Sequence, residues 1–327
     1  VKSVRIRGDG VAARACGHLL LNAGYRLSFE SGDRPRVPLI MLSQTAQRLI
    51  ADIFESADLF DNLPVIRKRI VAWGSGPVEL DHSAVVVSEE TLLARLGTLP
   101  SDEEPAEWTI CAGPPAPSTT VSHRVGSRTA LAIPVEMQAP LDACWMESLA
   151  DGWLFLNSGW LLAAGAQPET LLEKSILVKD QIAACGPSKS QFPVAPRIVT
   201  PLGGDRWIAC GSAAMAFDPL CGDGTAHAVR EAILACAVIR AADRGEDLAV
   251  LMAHYHARLT AGFERHLAMC HQFYSSGGKG PWWKDATASL AEGIQWCRGR
   301  APQTYRYRLE GLELRPIQPP AAGTPES

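Results

Sequence analysis

The chain has 327 residues, enough for one large domain or two ordinary ones, and apolar residues make up 47% of it, so a sizeable core is within reach. The formal charge is −4, with no run of basic residues and no RNA- or DNA-reading motif, which gives no reason to expect a nucleic-acid partner. Nine cysteines, none in a C-x-x-C pair and most in apolar company, argue against a disulfide framework or a zinc site and for reduced thiols in a cytoplasm.

The opening stretch, "VKSVRIRGDG", reads as a strand running into glycines, so no secretion signal is expected there. Val4 and Ile6 alternate with Arg5 and Arg7, and Gly8, Gly10 and Ala13 follow at G-x-G-x-x-A spacing. Ala15, Leu19 and Leu20 continue at helical spacing, "NAG" ends the helix, and "YRLSFE" is a second strand closed by Glu30. The spacing has a physical reading. Gly8 permits a tight turn, Gly10 lets backbone approach a pyrophosphate, Ala13 lets the helix pack close to the strand, and Glu30 can accept from a ribose hydroxyl. The alternative is a βαβ turn with no ligand. Asp9, inside the turn, places a carboxylate where phosphate oxygens would sit.

Further on, "RPRVPLIMLS" supplies Arg34 and Arg36, followed by Gln44, as candidate polar groups. "AWGSGPVELDHSAVVVSEETLLARL" reads as strands entering a helix, and "WTICAGPPAP" as a strand ending at Ala112-Gly113. "DGWLFLNSGWLLAAGA" suggests antiparallel strands, and "AACGPSKSQFPVAPRIVTPLGG" is the clearest loop-rich stretch. A second glycine-rich segment lies at 206 to 242, "RWIACGSAAMAFDPLCGDGTAHAVREAILACAVIRAA", where Asp218-Pro219 and Gly222-Asp223-Gly224 precede a long helix. Asp218 and Asp223 are candidate caps. His227, one turn into that helix, faces a cavity or lies on the helix surface, with the surface reading favoured. His254 and His256 are two positions apart on one helix and make a poor metal pair, so no metal is expected. Trp153, Trp160, Trp282 and Trp283 line a pocket or pack a core. The tail "PIQPPAAGTPES" reads as disordered. No apolar run reaches about 18 residues without a charge or glycine, so no membrane span is expected.

Taken together these segments resemble the FAD-dependent monooxygenases and halogenases with a p-hydroxybenzoate hydroxylase-like fold. The carrying residues are the Gly8 turn, Ala112-Gly113, Gly211-Ser212 with the two alanines after it, Asp218-Pro219, and Gly222 to Gly224. The resemblance implies an α/β protein with a discontinuous Rossmann-like FAD domain at 1–64, 97–119 and 201–245. It implies a substrate-side antiparallel sheet at 65–96 and 120–200, C-terminal helices at 246–315 and a tail at 316–327. It also implies FAD as cofactor, held by Gly8, Gly10, Ala13, Glu30, Arg36, Gln44, Ala112, Gly113, Gly211, Ser212, Asp218, Pro219, Gly222 and Gly224. The helix start after Gly222 would face the N1–C2=O edge of the flavin and stabilise the negative charge that grows there on reduction.

The implied activity is cytoplasmic aromatic hydroxylation through a flavin C4a-hydroperoxide, with NAD(P)H or a supplier of reduced flavin as electron donor. The substrate would be an aromatic small molecule or a protein-bound residue, tryptophan-like, as in quinone-cofactor biogenesis. A dehydrogenase or reductase of the same fold is one alternative, and a degenerate member acting as a binding or scaffold protein is another. The chain departs from the family at Ser212, which stands where an aspartate is usual. It also has Ser88-Glu89-Glu90 where an arginine usually opens a helix, and the stretch from Leu96 to Trp108 is short. The W-x-W-x-I-P signature of tryptophan halogenases is absent, which disfavours halogenation.

Overall fold

The structure is a computed structural model and describes residues 2–32, 34–101, 105–138, 140–187, 190–300 and 305–317. The chain begins β1 (Ser3–Arg7), α1 (Val11–Asn22), β2 (Arg26–Glu30), β3 (Ile40–Ser43), α2 (Gln44–Phe54), β4 (Val65–Ala72), β5 (Val78–Val87), α3 (Glu89–Arg95) and β6 (Trp108–Cys111). A run of strands follows: β7 (Val121–Arg124), β8 (Thr129–Met137), β9 (Ala143–Leu149), β10 (Gly152–Asn157) and β11 (Trp160–Gly165). After α4 (Pro168–Lys174) come β12 (Ile182–Cys185), β13 (Ser190–Pro193), β14 (Arg197–Thr200), β15 (Gly203–Gly204) and β16 (Trp207–Ala209). The last third holds α5 (Gly211–Ala214), β17 (Met215–Ala216), a 3-10 turn over Pro219–Cys221, then α6 (Gly224–Asp243), α7 (Leu248–Gly277), α8 (Pro281–Arg298) and the hairpin β18 (Tyr307–Glu310), β19 (Glu313–Pro316).

The alternating start folds as its pattern predicts. Val4 and Ile6 are fully buried, and β1 runs parallel to β2 on one side and to β6 on the other, with Ile6 opposite Phe29 and Ile110. β16 continues the sheet parallel to β6, giving the order β15-β16-β6-β1-β2. Three chain segments far apart in sequence thus end side by side. Helices α1 and α6 cover the sheet with Ala13, Ala15, Cys16, Leu20, Ala232, Ala235 and Ile239, all buried. Small residues let both helices come close to the strands and to each other.

The second layer is a nine-stranded sheet ordered β12-β8-β11-β10-β9-β4-β5-β3, with β13 also on β8. All its pairings are antiparallel except β4 with β9. The architecture is therefore α/β, a Rossmann-like parallel sheet beside a large, mostly antiparallel one. β3 lies within the stretch 1–64 but pairs with β5, so residues 40–43 belong to the large sheet. The segment 307–316, grouped above with the C-terminal helices, is a β-hairpin packed on α6. Of the expected tail, Pro316 closes β19 and residues 318–327 lie outside the described ones.

One continuous apolar core joins the layers, running from Val4 through Trp153, Phe263 and Trp283 to Leu314. Four aromatic residues fasten the C-terminal helices to the large sheet. Trp73 Nε1 donates to the Phe273 carbonyl at 2.8 Å, and Trp283 Nε1 donates to the Leu149 carbonyl at 2.8 Å. Trp283 packs edge-on against both Trp73 and Trp282. Among the described residues no helix is long and apolar enough to cross a membrane.

Candidate cofactor and substrate site

The carboxyl ends of β1, β6 and β16 converge on one crevice, which is where ligands bind in open α/β sheets. Gly8 ends β1 at φ +119°, and a Cβ there would lie 2.6 Å from the Gly113 nitrogen. Only glycine allows both that conformation and that approach. Ala112 and Gly113 both donate to the Arg7 carbonyl, at 2.8 and 3.1 Å, which locks the two strand ends together. Gly211 joins them at φ +56°, where a Cβ would meet Ala12 at 2.6 Å and the Ala112 carbonyl at 3.0 Å. The structure thus brings together Gly8, Gly10, Ala13, Ala112, Gly113 and Gly211.

Gly10 is the N-cap of α1 and makes no side-chain cap bond, and the first turn holds no acidic residue. Its backbone N–H groups and positive dipole end are therefore available to an anion. Arg34 lies over this helix start, its Nη2 2.8 Å from where a Gly10 Cβ would be. Glu89 holds Arg34 in place. Both guanidinium Nη atoms donate to the Glu89 carboxylate, which also accepts from the Val37 amide at 2.9 Å. Glu89 is buried, so the Ser88-Glu89-Glu90 helix start positions an arginine from another segment. Asp9 does not face the helix start unopposed, because Arg36 Nη2 pairs with it at 2.6 Å. Arg36 thus neutralises the carboxylate inside the glycine turn. Glu30 is exposed at the end of β2 and pairs with Arg7 at 3.2 Å. Gln44 is not part of this cluster. It begins α2 and donates to Ser83 Oγ at 3.1 Å, on the large sheet.

The second helix start is as bare as the first. Gly222 (φ +65°) and Asp223 (φ +67°) turn the chain into α6, which has no side-chain cap. Space is open around both Gly222 and Gly224. Asp223 does not cap the helix; its Oδ2 lies 3.3 Å from Arg230 Nη1. Ser212 is exposed, and its carbonyl accepts from Arg197 Nη2 at 2.6 Å. Beneath it Glu231 Oε2 accepts from the Gly211 amide at 2.7 Å, while Oε1 has no hydrogen-bond partner. Burial lifts the Glu231 carboxyl to about 8, against which the Gly211 bond and the Arg197 charge act only in part.

Asp218, ahead of Pro219, is fully buried where the glycine loop meets the large sheet. It accepts from the Leu220 amide at 3.0 Å and from the Tyr274 hydroxyl at 2.8 Å, and its own amide donates to His266 Nε2 at 2.9 Å. Trp153 of β10 donates to the Tyr274 oxygen at 3.2 Å. Arg128 stands over the Tyr274 ring at 4.7 Å, with Nη2 3.8 Å from Asp218 Oδ2. Its three side-chain nitrogens are buried without a hydrogen-bond acceptor, which a polar group entering this junction would supply. Burial raises the Asp218 pKa despite Arg128, and holds His266 down at about 3, so this histidine is neutral. His227 is half-buried and stacked on Phe217, ring centroids 4.4 Å apart. Trp153, Trp282 and Trp283 belong to this wall, whereas Trp160, on the neighbouring strand β11, lies opposite Asn157 at the other end of β10 from Trp153. Among the described residues no cluster of three or more His, Cys, Asp or Glu side chains could hold a metal.

The starts of α1 and α6 both present backbone N–H groups without a side-chain cap, the kind of donor that suits the pyrophosphate and the flavin edge of a dinucleotide cofactor. Sequence reading missed Arg34–Glu89 as a unit, together with Arg128, Glu231, His266 and Tyr274. Glu231 alone carried a local signal, as an acid two helical turns after Gly224 in an alanine-rich helix.

The chain has the fold of the FAD-dependent monooxygenases and halogenases. It is similar to the peptidyl tryptophan dihydroxylase QhpG, essential for tryptophylquinone cofactor biogenesis, with a TM-score of 0.72 and 19% identity over 96% of this chain and 86% of that one. The flavin-dependent halogenase CmlS is similar at a TM-score of 0.69 and 16% identity over 90% of this chain and 70% of that one. The myxobacterial chondrochloren halogenase CndH is similar at a TM-score of 0.69 and 14% identity over 93% and 91%. No protein-family profile matches the chain, and no curated protein matches it by sequence.

Proposed function

We propose that this chain is an FAD-dependent monooxygenase that hydroxylates an electron-rich aromatic group, and that the group is a tryptophan-like residue carried by a protein. The observation that carries the reading is the likeness to the peptidyl tryptophan dihydroxylase over nearly the whole chain, with both glycine-rich helix starts in place. When bound, FAD would supply the oxygen-activating chemistry, with electrons from NAD(P)H or a reduced-flavin supplier. The protein's residues do the rest. Gly8, Gly10 and the α1 amides would hold the pyrophosphate, with the Arg34–Glu89 pair, neutral as a whole, beside them, and Glu30 would accept from a ribose hydroxyl. Gly222 and Gly224 leave the α6 amides free to meet the flavin edge, where they would stabilise negative charge. Asp218, held by Tyr274 and the Leu220 amide, fixes the loop that carries those glycines. Trp153, Tyr274 and Trp282 would exclude water from the substrate side.

The test is the visible absorption spectrum of the purified protein, before and after adding FAD and removing the excess. Flavin bands retained by the protein, followed by oxygen uptake coupled to a tryptophan-containing peptide, are the expected result. A colourless protein that retains no FAD overturns the reading. Retained FAD with oxygen uptake only on a free aromatic compound overturns the protein-bound substrate.

A further inference from the structure

Cys221 and Cys270 are free thiols whose sulfurs lie 3.3 Å apart. Cys221 ends the 3-10 turn between Asp218 and Gly222, and Cys270 lies on α7. The pair therefore bridges the glycine loop and the longest helix. We propose that Cys221 and Cys270 are a peroxide-reactive dithiol that closes to a reversible disulfide, a modification site on the loop that starts α6.

Three observations support it. Cys221 is only half-buried, so a small oxidant reaches it, while Cys270 is buried directly behind it. A disulfide needs sulfurs about 2 Å apart, so roughly 1 Å of movement shared by two side chains closes the gap. The surroundings add no competing ligand chemistry. His266 Nε2, 3.3 Å from Cys270 Sγ, is already occupied by the Asp218 amide.

The chemistry balances in two steps. The Cys221 sulfur attacks hydrogen peroxide, giving a sulfenic acid and one water. The Cys270 sulfur then displaces the sulfenic hydroxyl, which leaves as a second water with the Cys270 proton. Two thiols are oxidised and one peroxide is reduced. A dithiol reductant restores the pair by exchange. The bond would staple the Pro219–Cys221 turn to α7 and fix the entry to α6.

The molecule contains its own control. Cys16 and Cys210 also touch, at 3.7 Å, but both are fully buried in the parallel-sheet layer and no oxidant reaches them in the native state. The experiment treats the full chain with hydrogen peroxide, blocks remaining thiols with an alkylating agent and maps peptides without reduction. A Cys221–Cys270 linked peptide is expected, with loss of two hydrogens from the intact mass, both reversed by dithiothreitol. Cys221→Ser and Cys270→Ser each lose the linked peptide. Over-oxidation of Cys221 with no link to Cys270 overturns the proposal, and so does a Cys16–Cys210 link forming at the same peroxide dose. The mapping on the unaltered chain decides the matter even where a variant folds poorly, and it needs no bound flavin, so its outcome is separate from that of the flavin reading.

Discussion

At the residue scale, the two buried charges at the loop junction are not equivalent. Asp218 can shed its charge, because burial already raises its pKa, whereas a guanidinium stays protonated wherever it is placed. Removing Arg128 leaves a carboxyl that takes up a proton; removing the Asp218 charge leaves a buried cation. We expect Asp218→Asn to cost about 3–5 kcal/mol of stability and Arg128→Met about 1–2 kcal/mol, read from urea unfolding. The reverse order would mean that Arg128 is not compensated by Asp218. Glu231 gives a pH signature. Its pKa rises from 4.5 to about 8 on folding, so the folded chain holds a proton that the unfolded chain releases. The stability this contributes is complete below pH 4.5 and is lost as pH rises towards about 8. Glu231→Gln keeps an acceptor for the Gly211 amide but cannot ionise. The melting temperature of the variant should therefore fall less than that of the unaltered chain between pH 6 and 8, and equal slopes in thermal melts would exclude Glu231 as the titrating group.

At the element scale, the β1–α1 turn depends on backbone that no side chain can share. Gly8→Ala places a methyl against the Gly113 amide and asks an L-residue to adopt φ +119°. We expect a loss of about 1–3 kcal/mol and at least tenfold weaker FAD retention, measured by urea unfolding and by flavin titration. Unchanged retention would remove the turn from the binding site. The contrasting change is Ser88→Ala, which removes the Thr91 amide's acceptor at 3.1 Å at a cost of about 1 kcal/mol. These contrasts follow how much of the molecule is legible in the sequence. The β1–α1–β2 unit and both glycine-rich helix starts could be read, because spacing along one segment determines each. The pairing of β3 with β5, the Arg34–Glu89 unit and the Tyr274–Asp218 bond could not, because each joins segments whose separation is decided only by the packed fold. Arg36 shows the intermediate case: its nearness to the glycine turn was legible, but its attachment to Asp9 was not.

At the scale of the whole molecule, the question is whether the cofactor layer and the large sheet unfold together. The core is continuous from Val4 to Leu314, and Trp283 is buried at its far side, against Tyr274 and the end of β9. Asp218 and Tyr274 join that side to the loop before α6. A chain tied in this way should melt in one transition. Trp283→Ala opens a large cavity in the shared core and should lower that transition by about 3–5 kcal/mol. FAD at a hundred times its dissociation constant should raise the same transition by about 2.7 kcal/mol, since only the native state offers both helix starts at once. The two perturbations enter from different layers of the molecule and should meet in one calorimetric peak. Two peaks, one moved only by Trp283→Ala and the other only by FAD, would show that the layers fold independently and that the Asp218–Tyr274 junction does not couple them.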